Sequence, residues 1–281
     1  MRVRTVVAAV VALLLLGGLA LGGAVVYFTV VRQPAPWSDS CTASVGGDSV
    51  RIDPDQARYA AIIAGVASRR GLPPRAVSIA LATAMQESGL RNLDYGDRDS
   101  LGLFQQRPSQ GWGTPAQLQD PYFAANAFFA AMEDVSGWET ADIGDVAQKV
   151  QRSGFPDAYD KHVPKARVLA SALSGETAAA FVCTAAALPA ADAAGHAAFL
   201  VKTLPAATAV TRSGSTVTVQ AKDAAGAWSA ASIAVADAET HGVRSVSVAG
   251  KTWRPSGLNP LGASWAAGTS GDAKTVVVEL G

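Results

Sequence analysis

From position 5 to 31 the chain has no charged residue, and Arg2 and Arg4 stand just before that run. About 20 apolar residues cross a hydrocarbon core. The run therefore predicts a single transmembrane helix, with the arginines in the cytoplasm and the remainder outside. A cleaved secretory signal ending near Ala20 and Gly22 is the competing reading. The apolar pattern continues through Val25, Val26, Tyr27, Phe28, Val30 and Val31, however, which is long for a signal core. Either way the rest of the chain crosses the membrane. Residues 32–50, with Pro34, Pro36, Gly46 and Gly47 among several Ser and Thr, read as a tether.

Helical periodicity starts next. Asp53 as N-cap, Pro54 at the first helical position and Gln56 at the capping-box position open a helix. Its apolar stripe is Ala60, Ile63, Ala64 and Ala67, and it should stop at Gly71. Pro73 and Pro74 precede a second helix over 75–88, ending at Gly89. Val77, Ile79, Ala80, Leu81, Ala82, Ala84 and Met85 make that helix apolar nearly all round, the pattern of a buried element. Glu87 in its last turn breaks the pattern, sharing a face with the small residues Ala80, Thr83 and Ala84. Asp120 and Pro121 open a third helix through 132, and shorter ones follow over 143–150 and 164–173.

The pattern changes beyond 175. Residues 176–190 are Ala-rich with Pro189 and read as a linker. A short helix is expected over 197–204, a second over 228–239 closed by Gly242, and strands over 215–221, 243–248 and 275–280. The last strand, rich in Val, is apolar enough to be central. The expected fold class is α+β, with four parts: an anchor (1–31) and its linker, a mainly helical domain over 51–175, a second linker, and a small α/β domain over 191–281.

Composition narrows the chemistry. Lys plus Arg and Asp plus Glu are both 23, so no basic excess points to a nucleic-acid partner. Cys41 and Cys183 are the only cysteines. In an oxidising compartment they are expected to pair and tie together the two ends of the helical region, stabilising it by roughly 3–5 kcal/mol. Two distant cysteines and three scattered histidines form no ligand cluster in the sequence, so no metal or other cofactor is expected. His196 and His241 read as structural or exposed. Trp253 and Trp265 around Arg254 read as core rather than a binding surface.

The polar stretch after Glu87 carries Asp94, Asp97 and Asp99 at a spacing unlike a calcium loop. It leads into Gly102-Leu103-Phe104-Gln105-Gln106 and Pro108. Glu87-Ser88-Gly89 followed by Gly102-Leu103-Phe104-Gln105 resembles the lysozyme-like lytic transglycosylase family, whose motif is Glu-Ser and then Gly-Leu-Met-Gln. With Arg107, Pro108 and Gly111-Trp112-Gly113 the string is similar to membrane-anchored actinobacterial members of that group. The resemblance covers about 53–173. It implies a lysozyme-like domain outside the membrane that cleaves the β-1,4 bond between N-acetylmuramic acid and N-acetylglucosamine in peptidoglycan.

Under that resemblance Glu87 is the catalytic acid. Its place in an apolar helix end, against the negative end of the helix dipole, favours the neutral carboxyl that general-acid chemistry needs. Ser88, Phe104, Gln105, Trp112 and Asn126 are expected to bind substrate, and Trp112 and Trp138 are aromatic rings that could stack on sugars. The family's Ala-Tyr-Asn-Ala-Gly motif is replaced here by Val150-Gln151-Arg152-Ser153-Gly154, which lacks the tyrosine; Tyr159 offers an aromatic nearby. A transglycosylase needs no second carboxylate, whereas a hydrolytic muramidase would draw one from Asp94, Asp97 or Asp99. An inactive glycan-binding scaffold of an envelope machine is the reading from a different class, with an envelope protein as partner of the C-terminal part.

Overall fold

A computed structural model describes residues 39–153, 156–256, 264–268 and 271–281 of the chain. The expected apolar span over 5–31 lies outside them, and among the described residues no helix is long and apolar enough to cross a membrane. The first described elements are strands β1 (Ser40–Val45) and β2 (Asp48–Ile52), where a tether is expected. Gly46 and Gly47 both have positive φ, 60° and 95°, which makes the tight hairpin turn between them. β1 also pairs with β3 (Phe181–Thr184), giving a three-stranded antiparallel sheet in the order β2-β1-β3. Cys41 and Cys183 are directly opposite in that pairing and form the expected disulfide across it.

Helix α1 (Pro54–Arg69) starts as its caps predict: Gln56 Oε1 accepts the Asp53 N–H at 2.8 Å. Its side chains from Ala60 to Ala67 are buried around the whole circumference, not only on the expected stripe. α2 (Pro74–Ser88) is likewise buried through most of its length and closes on Gly89 at φ 63°. Next come α3 (Pro115–Leu118), α4 (Pro121–Glu133), α5 (Ile143–Gln151) and α6 (Val163–Leu173).

The chain then enters α7 (Ala193–Thr203), β4 (Ala209–Ser213), β5 (Thr216–Gln220), α8 (Ala224–Ala236), α9 (Ala238–His241), β6 (Val243–Val248), β7 (Lys251–Trp253), β8 (Trp265–Ala267) and β9 (Thr275–Leu280). These strands make a six-stranded antiparallel sheet in the order β4-β5-β9-β6-β7-β8, so β9 does lie centrally. Its burial alternates: Val276, Val278 and Leu280 are covered and Glu279 is exposed, so one face of the sheet is packed and the other is open.

α8 is buried on all sides from Ala227 to Ala236 because it lies between the sheet and the helices of the first half. Contacts across the expected boundary are numerous. Ser229 Oγ donates to Leu173 O at 2.8 Å, Trp265 Nε1 to Phe181 O at 2.9 Å, and the Tyr122 and Thr203 hydroxyls are 2.8 Å apart. A Cβ on Gly65 of α1 would lie 2.6 Å from the Thr203 carbonyl oxygen, so the helices meet at backbone distance. Residues Asp39–Gly281 thus form one compact unit. The expected α+β arrangement over the described residues, a mainly helical domain beside a separate small α/β domain, is corrected accordingly, while the expected transmembrane helix lies outside them. The described residues are 45% helical and 19% strand, a mixed α/β body.

Candidate active site

Glu87 is half-buried in the last turn of α2. Two backbone bonds end the helix there, Gly89 N–H to Met85 O at 3.2 Å and Leu90 N–H to Ala84 O at 2.9 Å. Gln56 Nε2 holds Gly89 O at 2.8 Å, so the residue that caps the start of α1 also fixes the end of α2. Tyr159, between the short turns Pro156–Ala158 and Asp160–His162, donates its hydroxyl to Glu87 Oε1 at 2.6 Å. The tyrosine is fully buried. Burial first, then the hydrogen bond to Glu87 and the negative charge there, push the phenol above its ordinary range, so it remains a donor at any physiological pH. The Ser153 hydroxyl completes its surroundings. Next to Glu87, Gln86 Oε1 is 3.1 Å from His162 Nε2. Burial, helped by Lys161 and Lys165, holds that histidine below its usual value and therefore neutral at pH 7.

The glycine-rich loop is locked to the helix end. Ser88 Oγ is 2.7 Å from Leu103 O and 3.0 Å from Ala84 O, and it accepts the Arg91 N–H at 3.1 Å. Ser88 is thus occupied in joining helix to loop. Leu101 and Gln106 pair as an isolated antiparallel bridge that pinches the loop. Gly102, at φ 74°, lies against the Leu118 carbonyl, where a Cβ would come within 2.4 Å of the oxygen. Gln105 has φ 47°, and its Nε2 donates to Tyr95 O and Gly102 O at 3.2 Å each. Gln105 therefore holds up Tyr95, whose ring is exposed at the rim of the loop and was not among the residues singled out by sequence.

The remaining expected residues separate. Phe104 is fully buried and stacks on Phe128 with ring centroids 4.6 Å apart; it is core, with no face for a ligand. Asn126 is exposed on α4, donating to Tyr122 O and accepting from Arg70, which precedes α2. α2 has 15 residues, so its far end, with Glu87, is about 20 Å from that start. Asp99 accepts from Arg107 Nε at 2.7 Å and Ser109 N–H at 2.8 Å, which hold its carboxyl well below the usual range. Asp94 and Asp97 are exposed. Trp138 is buried. Trp112 is half-buried and lines a groove of about 570 Å³ together with Gln110, Asp134, Lys149, Gln151 and Arg152.

A second polar cluster is buried around Asp237, with Arg58 of α1 at its edge. Asp237 and His196 are fully covered, and His241 is nearly so. Asp237 Oδ2 is 2.8 Å from His196 Nδ1 and 2.6 Å from His241 Nδ1, and Oδ1 accepts from Arg58 Nε at 2.9 Å. Burial alone would raise this carboxyl, but hydrogen bonds from the two imidazoles and their charge hold it low. Among the described residues this is the group whose donors lie close enough, within 4.8 Å, to hold a metal ion. Here the carboxylate is already satisfied by three donors, one a guanidinium, and the cluster joins α1 to α7 and α9 as an ion-pair network. The histidines that look scattered in sequence are brought together by Asp237, which has no periodicity or motif to mark it. No protein-family model matches the chain, and no curated protein matches it in sequence.

Proposed function

We propose that this protein cleaves glycan strands of peptidoglycan as a lytic transglycosylase, with Glu87 as its single acid and base. The observation that carries the reading is the Glu87–Tyr159 pair at the closed end of a buried helix. Tyr159 supplies the aromatic hydroxyl whose absence from 150–154 favours an inactive scaffold, and so it supports the enzyme reading. With Oε1 engaged by Tyr159, Oε2 is the oxygen left to face substrate. In the first step Glu87 gives its proton to the glycosidic oxygen as the bond to C1 of the muramic residue breaks, through an oxocarbenium-like transition state. In the second, the Glu87 carboxylate takes the proton of that sugar's 6-hydroxyl as O6 bonds to C1. The product is a 1,6-anhydro ring, Glu87 is again protonated, and no water is consumed.

The placement of the three aspartates supports this over a hydrolytic muramidase. Asp99 is bound within its own loop by Arg107 and Ser109, and Asp94 and Asp97 are exposed. The disulfide supports a location outside the cytoplasm, with the 5–31 run as the segment that brings the chain there. Chromatography of digested sacculi is expected to yield anhydro-muropeptides, and Glu87→Gln is expected to lower the rate at least about 100-fold. Reducing ends alone would favour the muramidase. Binding to sacculi without cleavage would favour the scaffold.

A further inference from the structure

We infer that the groove at the end of α5, tied to the loop after Glu87 through Gln151, recognises carboxylates carried on the glycan strand, through Lys149 and Arg152, with Trp112 as the face for a sugar ring. This rests on the reading of Glu87 as the cleaving residue and names the substrate class of the same site. The groove is walled by Gln110 and Trp112 on one side, Asp134 and Val135 at the end of α4, and Lys149, Gln151 and Arg152 at the end of α5. It is joined to the catalytic pair by two short links. Gln151 Nε2 donates to Phe104 O at 2.8 Å, in the loop that Ser88 ties to the Glu87 helix end. Arg152 is followed by Ser153, whose hydroxyl meets Tyr159.

The charge in the groove has no internal explanation. Lys149, in the last turn of α5, and Arg152, just past its end, both line the groove. Asp134 is the single carboxylate in the lining, so two cations face one anion in a chain whose totals are equal. Among the described ion pairs none uses Lys149, Arg152 or Asp134. The helix dipole accounts for a cation in the last turn of α5. It does not account for arginine at 152, where φ is 53° and glycine would be less strained. A long cation placed there at a conformational cost is consistent with use of its head group. Arginine binds a carboxylate with two parallel N–H bonds, and an aromatic beside such a fork suits a sugar that bears an acidic substituent.

On a peptidoglycan strand the carboxylate has two sources, the lactyl group of a muramic residue without peptide and the acidic groups of an attached peptide. The test measures binding of the full chain bearing Glu87→Gln to three glycan fragments of equal length. One carries peptide, one has been stripped to free lactyl carboxylates, and one is stripped with those carboxylates converted to neutral amides. Wild-type groove residues are expected to bind at least one carboxylate form tenfold or more over the neutral form, and which form wins identifies the source. Lys149→Gln with Arg152→Gln is expected to bring that ratio close to one, and Arg152→Lys to restore part of it. Arg152→Gly, which suits the backbone at 152, is expected to lower the ratio while folding normally.

Equal binding of the neutral fragment, no binding of any fragment, or a ratio unchanged in the double variant would each overturn the inference. Cleavage by the Glu87 protein is measured separately. If fragments are discriminated but never cut, the catalytic reading fails and the groove stands. If they are cut without regard to charge, the catalytic reading stands and the groove assignment fails.

Discussion

Tyr159 does for Glu87 what a rotamer alone cannot: it fixes one carboxylate oxygen at 2.6 Å, and in the proposed mechanism the other faces substrate. Removing only that hydroxyl tests the role. Tyr159→Phe retains the buried ring, so the stability loss is expected to be about 1–2 kcal/mol, the cost of an unmade buried hydrogen bond. The turnover rate is expected to fall up to about 100-fold with KM nearly unchanged, because a misplaced acid affects the reaction and not ground-state binding. Steady-state kinetics separates the two, and an unchanged kcat would remove Tyr159 from the site. Glu239 gives a pH prediction at the same scale. Burial, then the negative charges of Asp39 and Asp55, push it from an ordinary 4.5 up to about 7. The folded protein therefore holds this proton more tightly than the unfolded chain. The stability so gained is complete below the unfolded value and is lost as pH rises through about 7. Glu239→Gln is expected to raise the melting temperature at pH 8 and leave it nearly unchanged at pH 4.5. The gain should be roughly 1–2 kcal/mol once the half-exposure of the group is allowed for.

At the scale of elements, what was legible in sequence depended on how local its cause is. Caps are local, so Asp53 with Pro54 and Asp120 with Pro121 mark helix starts that the structure keeps. Glu87 was legible because it is the one acid in an otherwise apolar buried helix. β1 and β2 were not, since Ser, Thr and paired glycines look like a tether unless their partner strand, far along the chain at 181–184, is known. Tyr159 is 72 positions from Glu87, and Asp237 is 41 from His196, so neither pairing leaves a trace in spacing. The stripe on α1 named one buried face, whereas α7 and α8 bury the opposite one as well. The β1–β3 pairing also carries a prediction. The disulfide closes a loop with ends 142 positions apart, so its removal by Cys41→Ser with Cys183→Ser is expected to cost up to about 5 kcal/mol. Denaturant unfolding of the oxidised protein and the double variant measures this, and equal midpoints would refute it.

For the whole molecule, the helices around Glu87 and the six-stranded sheet share α8 as a common centre. A chain ending at 190 would lose α7 and α8 and uncover the parts of α1 and α6 that pack against them. It would also strip Arg58 of Asp237. Such a fragment is expected to show no cooperative thermal transition and rapid proteolysis, although it contains every residue of the proposed site. A stable, active fragment would restore two independent domains. The clasp and the shared helix thus make the second half a structural condition for the first.

The Cys41–Cys183 bond has a mechanical consequence as well. Glu87, Gln105, Trp112, Lys149, Arg152 and Tyr159 all lie inside the covalent ring it closes. Tension applied between residue 39 and the C-terminal end would enter at Ser40, cross the sulfur–sulfur bond to Thr184 and continue along the second half. Residues 42–182 would carry no load through their backbone, so a pull applied between those two points would leave the geometry inside the ring intact until the sheet beyond 184 gives way.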